Sequence, residues 1–353
     1  MDIQEQQNDA IALLQQLIAI PSFSKEENTI ADFLERYMEL NGFVVSRNGN
    51  NLWMLSSGFD ASRPTILLNS HIDTVKPVSG WTREPFLPSI EDGKLYGLGS
   101  NDAGASLVSL LQTFFYLTQK QQTYNLIFAA TAEEEISGKN GIESLLNELP
   151  HIDFAIIGEP TGMHLAVAEK GLMVLDCTVH GKAGHAARNE GDNAIYKAIP
   201  QIEWFRNYEF EKKSELLGAV KMTVTQITAG TQHNVVPDKC SFVVDIRSNE
   251  KYSNEEILAE ISRYIDADVQ ARSTRLSSTA TPLEHPIVKR AAALNRTLYG
   301  SPTLSDQALI SFPSTKIGPG ESARSHTADE YIKLEEIGEA IEIYILLLDG
   351  LVI

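Results

Sequence analysis

Thr65-Ile66-Leu67-Leu68-Asn69-Ser70-His71-Ile72-Asp73 is a short apolar run that ends in a histidine and a carboxylate. The same arrangement recurs along the chain. Residues 126–130 lead into Glu133-Glu134-Glu135, residues 154–157 into Glu159, and residues 314–317, through Gly318-Pro319-Gly320, to His326. Between the first two runs, Gly97-Leu98-Gly99-Ser100-Asn101-Asp102 opens a long helical stretch. Short apolar runs separated by helical segments predict a parallel α/β sheet, whose strand C-termini share one edge and bind ligands in the crevice there. Groups that are hard to bury would then converge from distant parts of the chain. Two histidines with several carboxylates are the donor set of a two-metal hydrolytic centre.

Size and charge narrow the classes. At 353 residues the chain exceeds the length at which one core keeps growing, so two domains are expected. A net charge of −18 argues against nucleic acid and an anionic membrane as partners. It suits a metal or a cationic or zwitterionic substrate, although solubility explains it equally well. The start, Met1-Asp2-Ile3-Gln4-Glu5, has no basic region ahead of an apolar core, which predicts no signal peptide. The apolar run 343–348 is too short to span a bilayer. Two cysteines, Cys177 and Cys240, are too few for a disulfide framework and read as small buried side chains. A cytoplasmic location is the expectation.

The first 170 residues alternate helical and extended patterns. Leu13, Leu14, Leu17 and Ile18 repeat at helical spacing before Pro21, and a second helix over 28–40 ends at Asn41-Gly42. Strands are expected at 43–46, 52–55 and 66–68, followed by a broad apolar helix after Asp102. Residues 172–281 read differently: strand 172–179, helix 193–207, strands 220–227 and 240–246, helix 254–264 and strand 269–275. That β-α-β-β-α-β order is ferredoxin-like. After Pro282 a helix over 286–298, a strand at 314–317 and a helix over 334–348 resume the first pattern. The fold expected is α/β: a three-layer catalytic domain with a largely parallel mixed sheet (1–171 and 282–353), interrupted by an inserted α+β domain (172–281).

Each chemical signal is weak alone. His71-Ile72-Asp73 puts both side chains on one side of an extended segment, where a carboxylate can orient a ligand imidazole; a structural pair is the bland reading. Asp102 before a helix could be an N-cap. Three adjacent glutamates are ordinarily a solvated loop, but after a buried strand their repulsion calls for a cation. Glu159 has the same place after its own strand, and His326 could be a surface-loop histidine.

Taken together in this order, the motifs resemble the M20 metallopeptidase family of deacylases and peptidases. The matching stretches are 69–75, 95–102, 131–135, 158–161, His180-Gly181-Lys182-Ala183-Gly184-His185, and 318–320 with His326. They run through the whole chain, including the insertion, which in that family is the lid and dimerisation domain. The resemblance implies two zinc ions (Zn2+) per subunit, with Co2+ or Mn2+ as substitutes. Asp102 would bridge them, His71 and Glu159 would complete one site, and Glu135 and His326 the other. Asp73 would orient His71, and Glu134 would be the general base, with Glu133 preceding it. In the insertion, His185 would stabilise the oxyanion, and Asn234 and Arg247 would bind substrate; a local Asp245–Arg247 ion pair competes with that last role. The chain departs from the common pattern at Gly97-Leu98-Gly99 and Ala103-Gly104-Ala105, where the family carries two positive charges, but no ligand is lost. The stretches 317–321 and 326–332 most resemble acetylornithine deacetylases. The implied activity is removal of an acyl group from the nitrogen of a small-molecule N-acyl amino acid, N-acetylornithine first, in arginine biosynthesis, by a homodimer joined through the lid. Succinyl-diaminopimelate desuccinylase, N-succinyl amino-acid deacylase and dipeptidase are the alternatives, and a metal-dead oligomeric scaffold is the non-enzymatic one.

Overall fold

The run at the head of the sequence forms the strand Thr65–His71, buried along its whole length. In the computed structural model, which describes residues 3–353, it is flanked by two parallel neighbours, Asn125–Thr131 and Phe154–Ile157. Ser314–Lys316 adds in parallel beyond Phe154–Ile157. Antiparallel strands extend the sheet on both sides, Asn51–Leu55 at one end and Leu165–Glu169 at the other. The parallel core therefore brings the ends of four strands, with His71, the glutamate run, Glu159 and the His326 loop after them, to one edge.

Alternation along the strands separates two apolar faces. Ile66, Leu68, Leu126 and Phe128 pack into the larger cluster with the helices Ile3–Ile18, Ala105–Leu117 and Leu334–Leu348. Leu67, Ile127, Ala155 and Ile157 face a smaller one with Ile142, Leu145 and Ile310. This is the expected three-layer arrangement. Phe114 of the central helix meets Phe128 of the sheet at a ring separation of 6.2 Å. Full burial of each such side chain contributes roughly 1.5–3 kcal/mol, and it fixes the helix that follows Asp102.

The chain divides into two compact units, one of 1–167, 280–299 and 305–353, the other of 168–279 and 300–304. The second unit has the sheet order Lys221–Ala229, Lys239–Ser248, Gly171–His180, Asp268–Ala271, all antiparallel. With the helices Ala194–Asn207 and Asn254–Tyr264 in the crossovers, this is the ferredoxin-like order. Met173, Leu175, Cys177 and Val179 alternate inward against Phe205, Ile257 and Ile261. Ser253 and Glu256 close a capping box at the start of the second helix. Both cysteines are free and buried.

Two local expectations change. The helix expected over 286–298 stops at Ala293, because Asn295 adopts a left-handed φ of 57°, and Leu298–Ser301 is a strand. The strand expected at 43–46 begins only at Ser46; Phe43 instead stacks on Phe115, 4.9 Å between ring centroids. No helix among the described residues is long and apolar enough to cross a membrane.

Candidate metal centre

His71 is the last residue of its strand, and its ring Nδ1 lies 2.8 Å from the carbonyl oxygen of Asp73. A proton on Nδ1 satisfies that oxygen and leaves Nε2 facing the strand edge. There Nε2 is 3.3 Å from Asp102 Oδ1 and 3.8 Å from Glu159 Oε1. On the far side of Asp102, Oδ2 is 3.7 Å from His326 Nε2, and that nitrogen is 2.9 Å from Glu135 Oε2. Asp102 thus stands between two imidazoles, one oxygen turned to each. Donor atoms of His71, Glu134 and Glu159 all lie within 4.8 Å of one another, as do those of His71, Asp102 and Glu135.

Asp73 does more than flank His71. Its carboxylate is 3.5 Å from Nδ1, long for a hydrogen bond, so its main chain orients the ring. The carboxylate itself accepts the backbone N–H groups of Glu134 (3.0 Å) and Glu135 (3.2 Å) and the hydroxyl of Ser24 (2.7 Å). One buried anion therefore anchors the turn that carries two of the glutamates. Glu133 adopts a left-handed φ of 56° and turns its side chain away to Asn140 at 2.9 Å.

The electrostatics follow from packing anions together. Burial, then Glu159, pushes Glu134 well above the ordinary carboxyl range; burial, then Asp102, does the same to Glu159. Burial alone would lower His71, but the nearby carboxylates of Asp102 and Asp73 hold it well above its ordinary value. Burial would raise Asp102, yet His71 holds it low. His326, beside Glu135, rises to about 9. Without compensating charge Glu134 and Glu159 favour their protonated forms. A pair of divalent cations would relieve the repulsion, and an imidazole and carboxylate set without sulfur suits zinc, cobalt or manganese. The residues present fit such a pair.

Comparison with known proteins agrees with this geometry. Residues 67–350 match Peptidase family M20/M25/M40. The chain belongs to that family. A Mycobacterium tuberculosis relative that carries succinyl-diaminopimelate desuccinylase DapE as its provisional name is 30% identical over 351 residues, 95% of this chain and 96% of its own. The fold is shared with aminopeptidase PepT from Bacillus cereus (TM-score 0.79, 22% identity, covering 97% of this chain and 98% of that one). It is shared as well with YxeP from Bacillus subtilis, described as a dinuclear metal-binding peptidase of family M20 (TM-score 0.74, 16% identity, 98% of each chain). This M20 chain is thus a hydrolase of a metal-binding peptidase family, with candidate ligands in place.

The second unit holds the remaining residues expected to act. His185 and Asn234 come together on a small ribbon, in which Gly184–His185 pairs with Val235–Val236 and the Ala186 N–H donates to the Asn234 carbonyl. The Ala187 N–H donates to His185 Nδ1 at 3.1 Å, which puts the ring proton on Nε2. Arg247 is engaged by Asp245 through two bonds of 2.9 and 3.2 Å, so the local ion pair is formed. Two buried residues of the site, Glu330 and Asp306, and the half-buried Ser24 were missed in the sequence. Glu330 receives backbone N–H groups around Asp102 and is pushed up to about 8, by burial first. Asp306 accepts from Thr131 (2.8 Å) and Asn69 (3.0 Å) beneath His71 and is raised to about 6 by burial. Ser24 holds Asp73. Only Glu330 had any signal, its place four residues after His326.

Proposed function

We propose that this protein hydrolyses the amide of an N-acyl amino acid with two divalent cations, Zn2+ by preference. The observation that carries the reading is the carboxylate of Asp102 between His71 and His326, with Glu159 beside the first and Glu135 beside the second. His71, Glu159 and Asp102 would hold one cation, and Glu135, His326 and Asp102 the other. When bound, the cations would acidify a water and polarise the substrate carbonyl. With the cations relieving its repulsion, Glu134 would take the proton from the attacking water and pass it to the leaving amine. Asp73 keeps Glu134 at its station through the backbone bond. His185, with its proton on Nε2, has the donor that an oxyanion requires. Asn234 and Arg247 are assigned to the substrate; Arg247 would have to exchange Asp245 for a substrate carboxylate.

Within this class the stretch 317–332 supports N-acetylornithine, and the mycobacterial relative supports N-succinyl-diaminopimelate. The second unit would serve as lid and as the contact of a homodimer. Two buried free thiols suit the reducing cytoplasm. The deciding experiment is a turnover panel of N-acetyl and N-succinyl derivatives of ornithine, citrulline and diaminopimelate, with dipeptides, in added Zn2+ and again in chelator. Metal-dependent hydrolysis of an N-acyl amino acid is the expected result. Bound zinc with hydrolysis of dipeptides alone would move the reading to a peptidase, and no zinc with no hydrolysis would leave the scaffold.

A further inference from the structure

The loop that carries Asp102 and the loop that carries His326 meet at two buried points. At the first, Glu330 (2% exposed) accepts the N–H of Gly99 on Oε2 at 3.0 Å, and those of Asn101 and Asp102 on Oε1 at 2.8 and 2.9 Å. Its own carbonyl accepts the Gly97 N–H at 3.0 Å. At the second, the fully buried Asn101 accepts the Glu321 N–H on Oδ1 at 3.1 Å. Its Nδ2 donates to the Glu321 carbonyl at 3.1 Å and to Ser325 Oγ at 3.3 Å. Ser325 also lies close enough to the Asp102 carboxylate to help hold it low. The approach is close: a Cβ on Gly320, whose φ is +82°, would come 2.2 Å from Asn101 Oδ1.

None of these groups has a place in the chemistry described above. Glu330 spends both oxygens on main-chain donors, so it is not turned towards a ligand. A carboxylate buried this deeply is costly unless its hydrogen bonds are made, and here they are all made to one turn. That turn sets the position of Asp102. Glu321 and Ser325 belong to the segment that ends in His326.

We propose that Glu330 is a positioning residue which, with Asn101 and Ser325, locks the Asp102 loop onto the His326 loop. The spacing of two ligands for the Glu135-side cation is then set before any cation arrives. The inference rests on the two-cation reading above and adds to it the residues that preorganise the site. Such a clamp acts on cation affinity, because a loosened loop must be reordered at every binding event.

Glu330→Gln tests it. The amide keeps one acceptor and sets N–H donors against either the Gly99 N–H or the Asn101 and Asp102 pair. Zn2+ affinity, read by chelator competition with the purified full chain, should fall about 10- to 100-fold at one of the two sites, with the other site changed less. Melting of the chelated proteins separates this from a merely structural role, which would lower the apo Tm and leave the affinity of the folded variant alone. Ser325→Ala, which removes one hydroxyl from a partly exposed position, should shift zinc affinity the same way by a smaller factor; it decides the matter if Glu330→Gln does not fold. Wild-type affinity in folded Glu330→Gln, or in Ser325→Ala should the first variant fail to fold, overturns the clamp alone. A wild-type protein that takes up no zinc overturns the two-cation reading and the clamp with it.

Discussion

Asp73→Asn changes one atom type at a position 1% exposed. The carboxylate accepts three donors, Glu134 N–H on Oδ1, and Glu135 N–H and Ser24 Oγ on Oδ2. The least damaging amide orientation puts Nδ2 in place of Oδ2. Oδ1 then keeps Glu134, and the Ser24 hydroxyl can turn round and accept. The Glu135 N–H cannot; it faces another donor. Hydrogen bonds to a charged group are worth about 1.5–3 kcal/mol, against about 1 kcal/mol for a neutral pair. One lost and two weakened bonds amount to about 3 kcal/mol. At roughly 2–4 °C per kcal/mol for a unit of this size, the chelated variant should melt about 6–12 °C below the wild type. pH supplies a second constraint. Burial pulls Asp73 upward, but His71, Ser24 and the Glu134 N–H hold it below the ordinary 3.8. Its stabilisation is therefore full above about 3.8 and is lost as pH falls through the lower folded value. The gap between wild type and variant should stay level from about pH 5 to 8 and close in stronger acid. Calorimetry of both proteins in chelator measures it. Equal Tm at pH 7, or a gap that widens on acidification, would refute the idea that this carboxylate holds the glutamate turn.

The remaining predictions concern the base, the crowding behind Glu159 and the cations. Glu134→Gln should retain wild-type zinc by elemental analysis and lose about 10²–10⁴ in kcat; unchanged turnover removes it from the role of base. Gly318→Ala would put a Cβ 2.2 Å from Ser106 Oγ and 2.5 Å from the Glu159 carbonyl. Overpacking of that kind costs about 1–3 kcal/mol, and zinc affinity should fall with stability because Glu159 must move; full stability and affinity would show that the two loops have slack. Chelated wild-type protein should lose stability as pH rises from about 4.5 to 9, because Glu134, Glu159, His71 and His326 all bind protons more tightly folded than free. Zinc should flatten that slope, and a chelated protein that gained stability over the same range would contradict the packing of anions described above.

What could be read from the sequence was whatever depends on the position of a residue relative to its own strand. His71, Glu135 and Glu159 follow apolar runs directly, so the parallel-sheet rule brings them together without knowledge of the partners. The residues that hold them were not readable in that way. Glu330 acts on backbone N–H groups some 229 residues earlier, and a backbone donor leaves no trace in side-chain identity. Asp306 opens the short 3-10 helix Asp306–Leu309 and finds Thr131 and Asn69 only through the sheet. The helix expected to reach residue 298 failed for a local reason. Ala291-Ala292-Ala293-Leu294 carries helical propensity, but Asn295 takes the left-handed conformation that ends a helix. The role of Asp73 was half legible: its proximity to His71 was implied by alternation, whereas its carboxylate turned to the glutamate turn.

The centre is built on a repeated device, a buried carboxylate that accepts the N–H groups of a ligand-bearing turn. Asp73 does this for Glu134 and Glu135, Glu330 for Asp102, and Glu27 accepts the N–H of Glu133 at 3.2 Å. Asp73, held below its ordinary range, is itself an anion close to other anions. It stiffens its turn and adds to the repulsion that a cation relieves, so binding of cations and ordering of the turns are linked. The braces need not respond alike to neutralisation. Asp73 is held below its ordinary range, so its environment favours the charge even without metal. Glu330 is pushed up to about 8, so removing its charge relieves part of the burial cost. Asp73→Asn should therefore lower apo stability and zinc affinity together, while Glu330→Gln should take a larger share of its effect in affinity. A structural scaffold would give no reason for the two variants to part in this way; a site preorganised for cations does.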